Sequence, residues 1–530
     1  MQAKLIWCCA RAAVVELDDG SLFQTADTWE VFVNDAPAGA TDLVETYIDG
    51  LVPGKRNVVR FVCGEHEVSV GITAPAESFT INARDCGAKG DGVHDDTTNI
   101  QAAIMACPDK GRVLIPAGTY LVKSLFLKSD ISIELAEGAQ IKARYDRAAL
   151  AYLPGTVEGA DGAGHAGTNL LPLGRWEGES FSTYCSLFTG LRVHDVTIYG
   201  RGAIDGQTDF AEDNWWHNFK DIYRPEEGRK IARPRMIFLS ECERMSLVGF
   251  TVRNSPAWNI HPILCDHIDA LCLSIEGPKN SHNTDGFDPE SCGHVRVLGC
   301  QFSVGDDCIA IKSGKIGMNP ELRPATHDML VSHCYMHDGH GAVVLGSEAA
   351  GGIKDVTVSK CVFMRTDRGL RIKTRRGRGK DAVNEGIAFE HIRMDEVLTP
   401  FVVNSFYFCD PDGKTDYVQD RGMLPVDERT PGYGTFTFRD IEATNCHAAA
   451  AYITGLPERK IPRLEFENVR VTFSEHASAS VPAMACGVEP MARQGIIAQN
   501  VGTLALFNVE IEGQEGDELQ LENVDRVVRE

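Results

Sequence analysis

The sequence has no long apolar run. Nothing in it approaches the ~18 uninterrupted apolar residues of a membrane-spanning helix. It is also short of positive charge: 52 lysines and arginines stand against 75 aspartates and glutamates, a net charge of −23. A chain this acidic is a poor partner for nucleic acid or an anionic membrane. It repels an acidic polysaccharide at long range, so any acidic ligand requires a local basic site. The chain lacks a CxxC pair. Its 17 cysteines are an odd number spread along the sequence. Most, such as Cys265, Cys272, Cys292, Cys300, Cys308, Cys334 and Cys361, sit in apolar, strand-like runs and read as small buried hydrophobes. So many free thiols fit a reducing compartment. No His/Cys pair has metal-ligand spacing, so neither a metal nor a cofactor is expected. The apolar run before Arg11 is too short for a secretory leader. The expectation is a cytoplasmic protein, or a secreted or periplasmic one if a leader has been removed.

What is there is a soluble, globular composition, 43% hydrophobic and 24% charged. At 530 residues the chain exceeds one ordinary compact core, which suggests two domains or an elongated repeat. Residues 1–76 read as short alternating strands (Lys4–Trp7, Ala13–Leu17, Trp29–Val33, Asn57–Cys63, Glu67–Ile72) separated by turn residues, which predicts a small β-sandwich. Residues 73–77 read as a linker. From 78 to 530 the texture changes. Short β-branched runs recur every two dozen residues or so, punctuated by Gly, Asn and Asp, with almost no amphipathic helix besides Thr97–Cys107. Strands at a nearly constant period without helices predict an all-β solenoid, a parallel β-helix whose coils stack ~4.8 Å apart. The helix at 97–107 would cap its open end. Insertions at 148–182, 313–327, 374–386 and 405–434 break the period and predict loops gathered on a functional face. The run Arg375, Arg376, Arg378, Lys380 is the candidate basic patch.

Four short motifs carry the chemistry: Asn283-Thr284-Asp285-Gly286-Phe287-Asp288, Gly305-Asp306-Asp307-Cys308, Gly339-His340-Gly341 and Arg371-Ile372-Lys373. Asp285 and Asp306 stand 21 residues apart, about one coil, and equivalent positions on successive coils stack. The three aspartates, His340 and the two cations therefore converge on one face. Asp306 and Asp307 can both face a cleft only if the backbone kinks, which Gly305 permits. Three crowded carboxylates raise the pKa of one member, leaving an acid beside ionised neighbours. Glycosidic cleavage needs an acid for the leaving oxygen and a base for water. Arg371 and Lys373, two apart on a strand, share a face and can meet an acidic sugar or the aspartates themselves. Tyr407, in the 405–434 insertion, and Asn283 are further candidates for substrate contact.

On these residues the sequence resembles glycoside hydrolase family 28, the polygalacturonases, over most of residues 78–480. The likeness extends to Gly87-Ala88-Lys89-Gly90-Asp91-Gly92, Gly200–Gly206, Asn254–His261 and the stretch Gly305–Gly314. Trp215-Trp216 and Gly346-Ser347-Glu348 are similar to the bacterial exo-acting branch, whose members can carry an N-terminal fibronectin type III-like module. Tyr47–Gly54 resembles such a module. The resemblance implies a right-handed, single-stranded, pectin lyase-like β-helix and inverting hydrolysis of α-1,4-linked galacturonic acid in pectic polysaccharide or oligogalacturonides. It implies Asp306 as general acid, Asp285 and Asp307 as activators of water, His340 as support, and Arg371 and Lys373 as ligands of a galacturonate carboxylate. Three alternatives stay open: a lyase on the same coil, a non-catalytic glycan-binding β-helix, and hydrolysis of another uronic-acid glycan. Oligomeric state is not legible.

Overall fold

The computed structural model describes residues 1–530 apart from Tyr145, 159–168, Asp213, 218–221 and 225–228. The chain opens with seven strands: β1 (Gln2–Cys8), β2 (Ala12–Asp18), β3 (Gln24–Val33), β4 (Ala36–Leu43), β5 (Glu45–Asp49), β6 (Arg56–Cys63) and β7 (His66–Thr73). They form two antiparallel sheets of order β1-β2-β5 and β4-β3-β6-β7. Alternation along the strands turns Ala13, Val15 and Leu17 of β2 toward Trp29, Val31 and Val33 of β3, with Val59, Phe61 and Ile72 completing the core between the sheets. Strands β4 and β5 escape sequence reading. Strand β4 has no buried residue and so no apolar alternation, while Glu45 breaks the pattern of β5. The segment after β7 is tied down, since Glu77 accepts hydrogen bonds from Arg11 Nε at 2.8 Å and from Thr80 at 2.6 Å.

The rest of the described chain winds into a right-handed parallel β-helix, whose strands pair into a 29-stranded sheet. Its interior is built of columns. Ile260, Phe287, Ile309, Val343, Leu370, Phe401 and Ala451 are register partners on successive coils, and all are buried. Truncating one such phenylalanine to alanine costs about 3–5 kcal/mol. Cysteines fill similar inner positions; Cys242, Cys265 and Cys292, like Cys300, Cys334 and Cys361, are buried free thiols. Helix α1 (Thr97–Ala106) seats Ile100, Ala103 and Ile104 in the same core as Val113 and Ile115, covering the first coil.

The N-terminal module docks along one flank. Cys9, Ala12, Val14 and Tyr47 pack on Tyr199, Val248, Leu271 and Leu298, which are register partners on four successive strands. Trp7 donates to Ser246 Oγ at 3.1 Å, and Arg201 pairs with Asp49 at 2.7 Å. The insertion at 148–182 is not a bare loop. It forms antiparallel hairpins pairing Thr156–Glu158 with Leu170–Pro172 and Arg175–Trp176 with Glu179–Ser180; its residues 159–168 lie outside the described part. No helix among the described residues is long and apolar enough to cross a membrane.

Candidate active site

The inner columns fix what the outer face presents. The strands Ile309–Ile311, Val343–Gly346, Arg368–Lys373 and Thr399–Asn404 run in parallel register, and each residue that follows an inward one points out. Arg371 and Lys373 flank the inward Ile372 and so share the outer face. Asp285, Asp306 and Asp307 come from the turns that lead into this sheet, and one carboxylate oxygen of each lies within 4.8 Å of the other two. Gly305 serves this convergence by size: a Cβ there would lie 2.2 Å from the Ser281 carbonyl oxygen. The left-handed turn is at Gly339, with φ of 85°.

The three aspartates have different surroundings. Asp307 is buried, with Arg371 Nη1 at 3.0 Å and Lys373 Nζ at 2.6 Å. Burial favours its acid form, but these two cations outweigh it and hold its pKa well below the ordinary range. Asp306 is the most exposed, with 21% of its side chain in solvent and His340 Nδ1 at 3.3 Å. Burial acts upward here too, yet the His340 contact lowers its pKa. Asp306 in turn raises that of His340. Asp285 is buried, its Oδ1 has no hydrogen-bond partner, and its one cation, Lys312, stands 3.8 Å away. Burial first, then repulsion from Asp288 and Asp306, pushes its pKa far up. These directions run opposite to a raised pKa at Asp306: burial and like charge act most strongly on Asp285, whereas Asp306 has solvent and the His340 ring beside it.

Lys312 belongs to a second set of groups that the motifs did not single out. Its ammonium lies 3.3 Å from Asp288 and 3.6 Å from Glu348, over the Trp258 ring at 4.7 Å. Burial pushes Asp288 up to about 7, whereas Glu348, close to Lys312, Arg378 and Lys315, is held at about 2 against burial. Glu290 pairs with Arg175 at 2.8 Å and with His261 at 3.1 Å. The signal for these residues was available. Asp288 and Glu290 repeat the spacing of Arg371 and Lys373, and Glu290 pairs in register with Lys312.

A family model for glycosyl hydrolases family 28 matches residues 110–486. The chain belongs to that family. A shorter match, rhamnogalacturonase A/epimerase, pectate lyase-like, covers residues 80–135. A probable polygalacturonase of Vitis vinifera is 28% identical over 459 residues, 83% of this chain and 84% of its own. An endo-polygalacturonase of Pectobacterium carotovorum subsp. carotovorum is 26% identical over 388 residues, 71% of this chain and 84% of its own. Among solved structures, a Yersinia enterocolitica family 28 exopolygalacturonase aligns with a TM-score of 0.69 over 99% of this chain and 98% of its own, at 19% identity; that likeness speaks to the fold. The plant and bacterial relatives stand about equally near, so a bacterial origin gains no support.

Within this family 28 chain the remaining candidates have definite places. Asn283 Oδ1 accepts from Arg233 Nη2 at 2.8 Å. Tyr407 places its ring 5.6 Å from the Lys373 ammonium. Trp215 is a core residue against Leu150, Tyr184 and Ile231, and Trp216 donates to the Ser255 carbonyl at 3.1 Å. The run at 375–380 is not a free basic patch. Arg375 binds Asp412 at 2.6 Å, Arg376 binds Glu458 at 2.7 Å and Arg378 binds Asp410. All three arginines are buried and anchor the 405–422 segment, while Lys380 pairs with Glu428 at 2.8 Å.

The 175–180 hairpin walls the site beside Lys312. Trp176 stacks on Trp258 with ring centroids 5.2 Å apart, and Arg175 donates to the Leu322 carbonyl at 2.5 Å. Lys315 joins Glu179 at 3.4 Å to Asp410 at 3.2 Å. Three insertions thus meet at one side of the aspartates.

Proposed function

We propose that this chain hydrolyses α-1,4-linked galacturonan, or oligogalacturonides, from a chain end. The observation that carries the reading is the Asp285–Asp306–Asp307 cluster flanked by Arg371 and Lys373. It offers carboxylates for acid and base work and cations suited to an acidic sugar. Asp306, alone of the three in reaching solvent, is the proton donor to the leaving oxygen. A bound uronate adds negative charge and expels water, and both raise the Asp306 pKa and draw the proton to it. Asp285 and Asp307 then activate water, and His340 tunes Asp306. Arg371, Lys373, Tyr407 and Asn283 contact the sugars. Exo action is supported by the hairpin wall, where Trp176, Lys315 and Asp410 close one side of the site.

We assign inversion on the family resemblance. Product analysis on oligogalacturonides of defined length tests the whole: one mono- or disaccharide from the end supports exo action, and a ladder refutes it. Proton NMR of the first anomer formed decides inversion. Unsaturated product, seen by absorbance, would instead mean a lyase. No release of reducing ends from any uronic-acid glycan would leave a binding protein.

A further inference from the structure

The coil geometry that gathers the aspartates also builds a histidine ridge on another face. Asp266, Gly293 and His327 are register partners at the start of three successive strands. The residues after them, His267, His294 and Asp328, all adopt left-handed φ of 56°, 50° and 53°. This repeated left-handed position, with the register kept on either side, sets neighbouring side chains side by side. The His267 and His294 rings stack with centroids 4.5 Å apart and planes 19° from parallel. One carboxylate serves both rings: Asp266 Oδ2 lies 2.8 Å from His267 Nδ1, and Asp266 Oδ1 lies 2.7 Å from His294 Nδ1.

Two imidazole nitrogens and a carboxylate, with all three ligand atoms within 4.8 Å of one another, form a donor set suited to a borderline divalent metal ion. Two features distinguish this cluster from an ordinary surface pair. Gly293 keeps the space beside the carboxylate open, since a Cβ there would lie 2.7 Å from Asp266 Oδ1 and 3.1 Å from His327 Nε2. The second is its counter-charge. At the matching corner two coils earlier, Asp195 is already occupied by Arg244, whose Nε and Nη2 both lie at 2.7 Å. Among the described residues no lysine or arginine pairs with Asp266, whose two oxygens meet His267 and His294.

We propose that Asp266, His267 and His294 bind one borderline first-row divalent cation, of the Ni2+, Cu2+ or Zn2+ kind. The two Nδ1 atoms and the carboxylate are the ligands and water completes the shell; the exposed rings turn out of their stack so that both lone pairs face the ion, and each binds as its Nε2–H tautomer, a proton passing to solvent only from a ring that was cationic. The ion cross-links two successive coils. The ligands are a coil apart in sequence, which is why no spacing motif announces them.

The test uses the full chain without an affinity tag. Calorimetric titration with Ni2+ at about pH 7.5 is expected to show one equivalent bound. Affinity should fall at least ~10-fold in His267→Ala and in His294→Ala, both half-exposed positions. Gly293→Ala, which keeps every ligand but fills the space, should weaken binding as well. The Cu2+ form should show coupling to two imidazole nitrogens by electron paramagnetic resonance. Absence of stoichiometric binding, or binding unchanged in both histidine variants, overturns the proposal.

Discussion

The two halves of the candidate active site hold the same residue types in opposite electrostatic regimes. Around Asp307, two cations serve one carboxylate, and it is ionised. Around Lys312, one ammonium is shared among Asp285, Asp288 and Glu348; Glu348 also has Arg378 and Lys315 and is held low, while the two aspartates are pushed up. Both halves are buried, so burial does not separate them. The difference lies in how many cations each carboxylate can claim, because in a low-dielectric interior every uncompensated charge is costly. A carboxyl pushed toward its acid form therefore stands a few ångströms from the exposed Asp306.

The comparison can be broken at several points. The largest effect is expected at Asp306→Asn, which removes the donor from between the halves: activity on polygalacturonate, followed by reducing-end release, should fall by ~10²–10⁴-fold or more with the fold intact. Retained activity would sink the assignment. Next is Lys312→Met, which strips this half of the ammonium that Asp285, Asp288 and Glu348 share. Urea unfolding at neutral pH should show a loss of about 3–5 kcal/mol, and a smaller loss near pH 5, below the raised pKa of Asp288. A pH-independent loss would mean that the ammonium acts through packing alone. The third contrast sets isosteric variants side by side. Asp307→Asn leaves Arg371 and Lys373 unopposed and should cost about 3 kcal/mol. Asp288→Asn imitates the protonated form and should change stability little near pH 4, where the carboxyl is neutral in both states, and raise it toward pH 7.

The smallest expected effect is on the shape of the pH–stability curve, and its sign differs between the halves. Asp307 has a depressed pKa, so its contribution is present above the unfolded value of about 4 and is lost as pH falls toward the folded pKa. Asp288, raised from 3.8 to about 7, contributes fully below about 4, and its contribution is lost as pH rises through 7. Asp288→Asn should flatten the decline between pH 4 and 7 by a fraction of the roughly 1.4 kcal/mol that each pH interval can carry; an unchanged slope would refute the assignment.

Much of this was legible in the sequence because the solenoid turns sequence period into spatial coincidence. Asp285, Asp306, Asp307, His340, Arg371 and Lys373 announce themselves through glycine-flanked motifs on successive coils. Lys312, Glu290 and Glu348 were harder to see, since each sits in or beside an apolar run and declares its role only when the strand parity is followed outward. The arginines at 375–378 misled for the opposite reason. Neighbours along the chain suggested a patch, while their real partners, Asp410, Asp412 and Glu458, come from other segments. The closing hairpin at 175–180 lies in a glycine-rich insertion with no period to read. Which aspartate is pushed up depends on relative burial and partner count, neither of which a linear motif encodes.

The docking of the N-terminal module has a mechanical consequence. Coils of a solenoid touch only their neighbours, so such a fold ordinarily frays rung by rung. The module grips Tyr199, Val248, Leu271 and Leu298 at once, and acts as a splint across four rungs. Peeling any one of them requires releasing the whole span. The spliced coils include the strand just before Asp285 and the one just before Asp306, so a load applied along the helix axis is carried past the aspartates without being borne by their turns.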